Sequence, residues 1–445
     1  MNARPSLGSP GLLLLSTLLA ACGSDSKGST GNGATDGGSG GGTAAGGASG
    51  DAATGGGTAT GGGGAADAGS GGAPGSGGAA TGGSSGADAA ADSGMIVDGT
   101  GGPTDPIHTQ DLKWVWVPFA DAKCRDGSST GIYVSGNSAS DKLMIFLEGG
   151  GACMNAATCA ANPATFDPKG WNGRTGVFDR TRTENPVKDW SMVYVPYCTG
   201  DVHAGNHPNF DPGGGVGPQQ FVGYANLEKF LGRIVPTFPS VTEVLHTGIS
   251  AGGFGAGATV ELVGKKFPST VDVVLVDDSG PSMSNQYLPA CLQKQFREAW
   301  NFDATFLKDC GSDCTGTDNF SLEYPIHLAR TYPNRRGGII ETQADQVITL
   351  FYGFGASGCN VDQTKFAPPM DPATFEAGLL DFRAQMMALF PDGGTPNFGT
   401  FYLQGNQHTW LTNNDSVYTG AVGGTKLIDW FTGIVNGTSL TNVGP

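Results

Sequence analysis

Charge is scarce in this chain, and positive charge is scarcer. Only 14% of its 445 residues are charged, with 24 Lys and Arg against 40 Asp and Glu, for a net charge of −16. No lysine- or arginine-rich stripe interrupts that balance, and an acidic surface repels phosphates, so nucleic acid is excluded as a partner. Long apolar runs are missing as well. The run Leu12 to Leu19 is broken by Ser16 and Thr17 and is too short to span a bilayer. The nine cysteines include no C-x-x-C pair, which argues against a zinc site, and the chemistry read below needs no metal or organic cofactor.

Three segments of different composition follow one another. Residues 1–22 read as an export signal: Arg4, an apolar run, then Leu19, Ala20, Ala21 and Cys22 in the form of a bacterial lipobox, with Cys22 the expected site of lipidation and an ordinary cleaved signal of a secreted protein as the alternative. Residues 23–105 are almost entirely Gly, Ala, Ser, Thr and Asp. They offer too little apolar surface to offset backbone ordering, and so read as a disordered linker between a lipid anchor in the cell envelope and a folded domain. With Cys22 set aside, eight cysteines remain in an exported chain, which reads as disulfides. The short gaps between Cys153 and Cys159 and between Cys310 and Cys314 make those two pairs candidates.

Residues 106–445 alternate strand-like and helix-like runs. Leu143–Leu147, Met192–Tyr197, Val244–Thr247, Val273–Val276, Gly338–Thr342 and Thr400–Leu403 are short, apolar and bounded by turn formers. Helical patterns at Phe221–Ile234, Phe254–Phe267, Gln286–Trp300 and Pro372–Leu389 lie between them. Strand then helix, repeated, predicts an α/β fold of α/β-hydrolase type, a mostly parallel sheet with helices on both faces. Trp114–Phe119 and Gly131–Val134 are expected to form an antiparallel edge.

Chemistry concentrates in a few places on this frame. Gly248, Ile249, Ser250, Ala251, Gly252 and Gly253 follow an apolar strand and have the G-x-S-x-G spacing of a nucleophile elbow, which presents a serine hydroxyl on a sharp strand-to-helix turn. Asp345 and His408 each follow a later strand, giving the order serine, acid, histidine along one rim of the sheet. Asp277 and Asp278, at the end of the strand after the elbow, remain rivals for the acid, with Asp345 preferred. Gly149, Gly150 and Gly151 follow a buried strand as an oxyanion loop would, with the Ala251 N–H completing the hole. His203 and His207, competitors of His408, read as rim or substrate-contacting residues or as solvated loop residues, and Trp171 and Trp410 as core residues or a stacking surface for sugars.

These motifs, together with Trp116 to Pro118, Cys124 to Ser128, Asn185, Pro186, Trp190 and Asp278 to Gly280, resemble the pectin acetylesterase and Notum family of carboxylesterases, in a bacterial lipoprotein-like form. The resemblance implies Ser250 as nucleophile, His408 as base and Asp345 as acid. It implies an oxyanion hole from Gly150, Gly151 and Ala251, and disulfides Cys124–Cys198 and Cys153–Cys159. Family members commonly carry an aromatic where this chain has Ala152, so the acyl pocket is expected to differ here. The expected activity is removal of small acyl groups, acetyl foremost, from a polysaccharide or other small ester. A lipase, thioesterase or peptidase on the same scaffold, or a non-catalytic glycan-binding surface protein, are the competing readings.

Overall fold

In a computed structural model, residues 96–170, 175–390 and 397–445 are described. The export signal with Cys22, most of the linker and Trp171 lie outside them. A nine-stranded sheet organises these residues. In chain order its strands are β1 (Ile96–Val97), β2 (Val115–Lys123), β3 (Ser129–Ser135), β4 (Lys142–Leu147) and β5 (Ser191–Val195), then, after a small hairpin of β6 (His207–Phe210) and β7 (Gln219–Phe221), β8 (Glu243–Ile249), β9 (Asp272–Asp278), β10 (Gly337–Thr342) and β11 (Phe398–Leu403). The spatial order is β1-β2-β3-β5-β4-β8-β9-β10-β11. Within this sheet only the β2–β3 and β3–β5 pairs are antiparallel, which puts the antiparallel part at one end, as the sequence predicts. From β5 to β11 every pair is parallel, so these strands all end on one rim.

Alternation along each strand supplies two cores. Leu143, Ile145 and Leu147 of β4 and Val273 and Leu275 of β9 face one side, where they meet the helices Gly223–Thr237, Ala251–Lys266 and Pro372–Met387. Met144, Phe146, Val274 and Val276 face the other, packed with Trp410 and the helix Leu427–Val435. Both faces are covered, which is why these strands read as continuous apolar runs rather than alternating ones. Four disulfides join Cys124 to Cys198, Cys153 to Cys159, Cys291 to Cys359 and Cys310 to Cys314.

The folded part reaches further back than composition implies. Residues 96–105 were read as linker, yet Ile96 and Val97 pair in register with Val115 and Trp116. Asp98 is buried, with its Oδ2 3.2 Å from Arg233 Nη2, and Arg233 also donates to the Thr100 and Asp105 carbonyls. A two-residue strand is too short for a composition window to detect; a buried ion pair fixes it instead. Removing one partner of such a pair leaves the other charge buried, at a cost of about 3 kcal/mol or more. Asp98→Ala is therefore expected to lower stability by about that amount in denaturant titration, whereas a change within experimental error would mean that this segment is not anchored.

Candidate active site

The elbow is built by close approach. Ser250 ends β8 and caps the helix Ala251–Lys266, with φ +56° and ψ −123°, a backbone region costly for any residue bearing a side chain. A Cβ at Gly252 would strike the Leu147 carbonyl, and one at Gly248 would strike Gly252, so both flanking positions require glycine for space. The Ser250 N–H donates to the Asp278 carbonyl at 2.7 Å, which ties the turn to the end of β9. The loop after β4 runs against this turn: a Cβ on Gly149 would lie 2.9 Å from that of Ser250. Gly151, Ser250 and Ala251 line one cavity of about 170 Å³, walled by apolar residues including Phe254, Trp300 and Tyr352.

Asp345 follows β10 and is fully buried. Its Oδ1 accepts the N–H groups of Val347 and Ile348 at 2.8 and 2.9 Å, at the start of the helix Ile348–Ala356, where the helix dipole favours an anion. Its Oδ2 lies 2.7 Å from His408 Nδ1. A carboxylate only accepts, so Nδ1 carries a ring proton and donates it to Asp345. Nε2 is buried and has no hydrogen-bond partner among the described residues. Serine, acid and histidine thus follow β8, β10 and β11 on the rim where a parallel sheet gathers its ligands.

Of the two rivals for the acid, Asp278 has another occupation. Asp278 is fully buried; its Oδ2 accepts Trp410 N and Leu411 N at 2.8 and 2.7 Å, and its Oδ1 accepts Ser279 Oγ at 2.9 Å. It anchors the segment just after His408. Burial pushes its carboxyl up to about 6 against those hydrogen bonds. Asp277 points to the opposite face and lines the cavity; burial and then the Asp278 charge raise it well above the usual carboxylate range. Glu341 is raised in the same way, by burial and then by Asp345.

One other sequence reading changes. His203, read as solvated, is buried, and its Nε2–H donates to the Glu148 carbonyl at 2.8 Å; burial holds the ring down at about 4, so it is neutral. His207 is half-exposed, with Nδ1 3.1 Å from the Glu298 and Ala299 carbonyls. Trp410 is 7% exposed and its Nε1–H donates to Thr342 Oγ1, so it belongs to the core and offers no sugar platform. Sequence reasoning also missed Asn162, whose side-chain amide donates to the Gly150 carbonyl at 2.8 Å.

The fold and this arrangement define the class: a chain of α/β-hydrolase type with a serine on a strained elbow. Residues 108–324 match the sequence profile of the family described as Pectinacetylesterase. Mouse palmitoleoyl-protein carboxylesterase NOTUM is 29% identical over 193 residues, covering 40% of this chain and 37% of the mouse protein. Notum2 of Xenopus laevis, of the same description, is 28% identical over 190 residues, 40% of this chain and 38% of its own length. The chain thus spans under two fifths of the length of these relatives. The crystal structure of the Wnt deacylase Notum from Drosophila superposes with a TM-score of 0.53 at 19% identity, covering 75% of this chain and 96% of that one, a likeness of fold. Over residues 108–324 the chain is thus similar to pectin acetylesterases and to the Notum carboxylesterases. Ser250 falls inside the matched segment, while Asp345 and His408 lie beyond it.

Glu148 opens the glycine loop, and its Oε2 accepts the Tyr197 N–H at 2.8 Å. Burial pushes it from 4.5 up to about 7. The folded state therefore holds this proton more tightly than the unfolded chain, an advantage that is whole below pH 4.5 and lost as pH rises through about 7. Glu148→Gln should remove that dependence. Relative to wild type, its stability is expected to rise by up to ~3 kcal/mol between pH 4.5 and 8, read from denaturant midpoints; parallel stability curves would refute the assignment.

Proposed function

We propose that this chain is an exported serine carboxylesterase, tethered to the cell envelope through Cys22, that hydrolyses acyl esters through an acyl-enzyme. The observation that carries this reading is the state of His408, whose Nδ1 is held by Asp345 and whose Nε2 is buried and unpartnered. In this scheme Nε2 takes the Ser250 proton as Oγ attacks the ester carbonyl, and returns it to the leaving alcohol. Water then repeats the two transfers to release the acid. The N–H groups of Gly150, Gly151 and Ala251 stabilise the negative charge of each tetrahedral intermediate. The family description supports ester hydrolysis, and the four disulfides support export.

The acyl group is better matched by a medium chain than by acetyl. The cavity beside Ser250 holds about 170 Å³, close to the roughly 150 Å³ apolar cavity that takes one benzene, so its capacity is about six carbons. The relatives named for palmitoleoyl esters also support an apolar acyl chain, though a longer one. Ala152 lines the cavity where family members commonly carry an aromatic, which leaves room at the mouth. The leaving group is an alcohol of a polysaccharide or a small ester.

A fluorophosphonate probe should label the purified protein and fail to label Ser250→Ala; an unlabelled wild type that still binds glycan would favour a non-catalytic adhesion protein. Asp345→Asn should lower kcat by about 10⁴-fold through loss of the correct tautomer. Asp278→Asn retains an acceptor for Trp410 and Leu411 and should lose no more than about tenfold, roughly one hydrogen bond's worth of positioning; equal losses would undo the acid assignment. Across p-nitrophenyl esters, kcat/KM should climb about fourfold per CH₂, or 0.8 kcal/mol, up to about hexanoyl, and then level off. A maximum at acetyl would contradict the medium-chain reading.

A further inference from the structure

A loop of three glycines has no side chain with which to hold itself, so whatever fixes its peptide planes must come from outside. Here the Gly150 carbonyl is held by Asn162 Nδ2 at 2.8 Å. Asn162 Oδ1 in turn accepts Arg125 Nε at 3.0 Å, and Arg125 Nη2 donates to the main-chain carbonyls of Asn162 and Cys159. Arg125 is 8% exposed, and its Nη1 is spent on Gln219 Oε1 at 2.6 Å. Among the described residues no carboxylate lies within ion-pair distance of this guanidinium; its hydrogen bonds all go to uncharged oxygens, and the Asp126 carboxylate acts on it only at longer range. The Cys124–Cys198 and Cys153–Cys159 disulfides brace the segments that carry Arg125 and the Cys159 carbonyl.

In a planar trans peptide the C=O and the next N–H point in opposite directions. Fixing the Gly150 carbonyl on Asn162 therefore aims the Gly151 N–H away from Asn162. We infer that Asn162 is a positioning residue for the oxyanion hole, and that the buried charge of Arg125, passed through the Asn162 amide, polarises the Gly150–Gly151 peptide toward developing negative charge. This rests on the esterase reading above and adds to it the device that orients the hole. Chained hydrogen bonds polarise one another, and a buried charge with no carboxylate in direct contact acts through a low dielectric, so both parts of the chain act in the same direction. A donor so aimed stabilises the tetrahedral intermediate more than the flat ester, and its loss is felt in kcat rather than in KM.

The test uses Asn162→Ala and Asn162→Asp in the full chain, with active sites counted by fluorophosphonate and turnover measured on p-nitrophenyl hexanoate. The aspartate keeps the size and gains an ion pair with Arg125, so it folds, but it cannot donate to the Gly150 carbonyl. Both variants should show kcat per labelled site reduced about 10- to 100-fold, below the full cost of losing one oxyanion donor, with KM within threefold. Affinity for an alkyl boronic acid, which forms a tetrahedral adduct on serine, should fall in parallel with kcat. Arg125→Gln should show a smaller loss in the same direction. Wild-type kcat in Asn162→Asp, or boronate affinity unchanged while kcat falls, would overturn the inference and leave the esterase reading intact. A wild type that turns over no ester would end both.

Discussion

The site depends on one buried residue that performs two different tasks at the end of β9. The Asp278 main-chain carbonyl accepts the Ser250 N–H, and the Asp278 carboxylate accepts the N–H groups of Trp410 and Leu411, some 132 positions further along the chain. The Ser250 turn and the segment that follows His408 are therefore registered to the same residue. Two charge-assisted N–H bonds and the Ser279 hydroxyl offset the desolvation of a fully buried carboxylate, whose residual cost shows in its rise to about 6. Asp345 binds His408 itself, while Asp278 binds the chain that carries it.

Strand alternation explains how neighbouring acids come to differ so much. Asp277 and Asp278 are adjacent in sequence and so point to opposite faces of the sheet. Asp278 falls on the face that packs Trp410 and the helix Leu427–Val435, and Asp277 on the face that opens into the cavity beneath Ser250. The parallel run of β5, β4, β8, β9, β10 and β11 then delivers the glycine loop, the serine turn, the two acids and the histidine loop to one edge. The site needs no long-range fitting beyond that shared edge: each functional side chain lies within a few residues of a strand end, and short hydrogen bonds set its direction.

Much of this was legible in the sequence because it depends on local pattern. The parallel strands were visible as apolar runs because both faces of the sheet are covered, and the antiparallel end because Trp114–Phe119 and Gly131–Val134 are close in sequence. Glycine at 248 and 252 was legible because close approach permits no other residue. What escaped depends on tertiary contact. Ile96 and Val97 are two residues, and it is their pairing with β2 and the Asp98–Arg233 contact that tie this segment to the domain. The roles of Asp278, Asn162 and Glu148 come from atoms on other loops, and no spacing rule relates Asn162 to the Gly150 carbonyl twelve residues away. His203 looked solvated because its loop is glycine-rich; burial against Glu148 and Tyr197 is invisible in a one-dimensional pattern.

Covalent acylation of Ser250 is the claim on which the functional reading rests. Rapid acid quenching during turnover of a p-nitrophenyl ester, followed by peptide mass spectrometry, reads it without any assumption about the natural substrate. The expected result is an acyl mass increment confined to the peptide that carries Ser250, formed with a burst of nitrophenol and absent from His408→Ala. Hydrolysis with no acylated peptide, or with the acyl group on another residue, would contradict it.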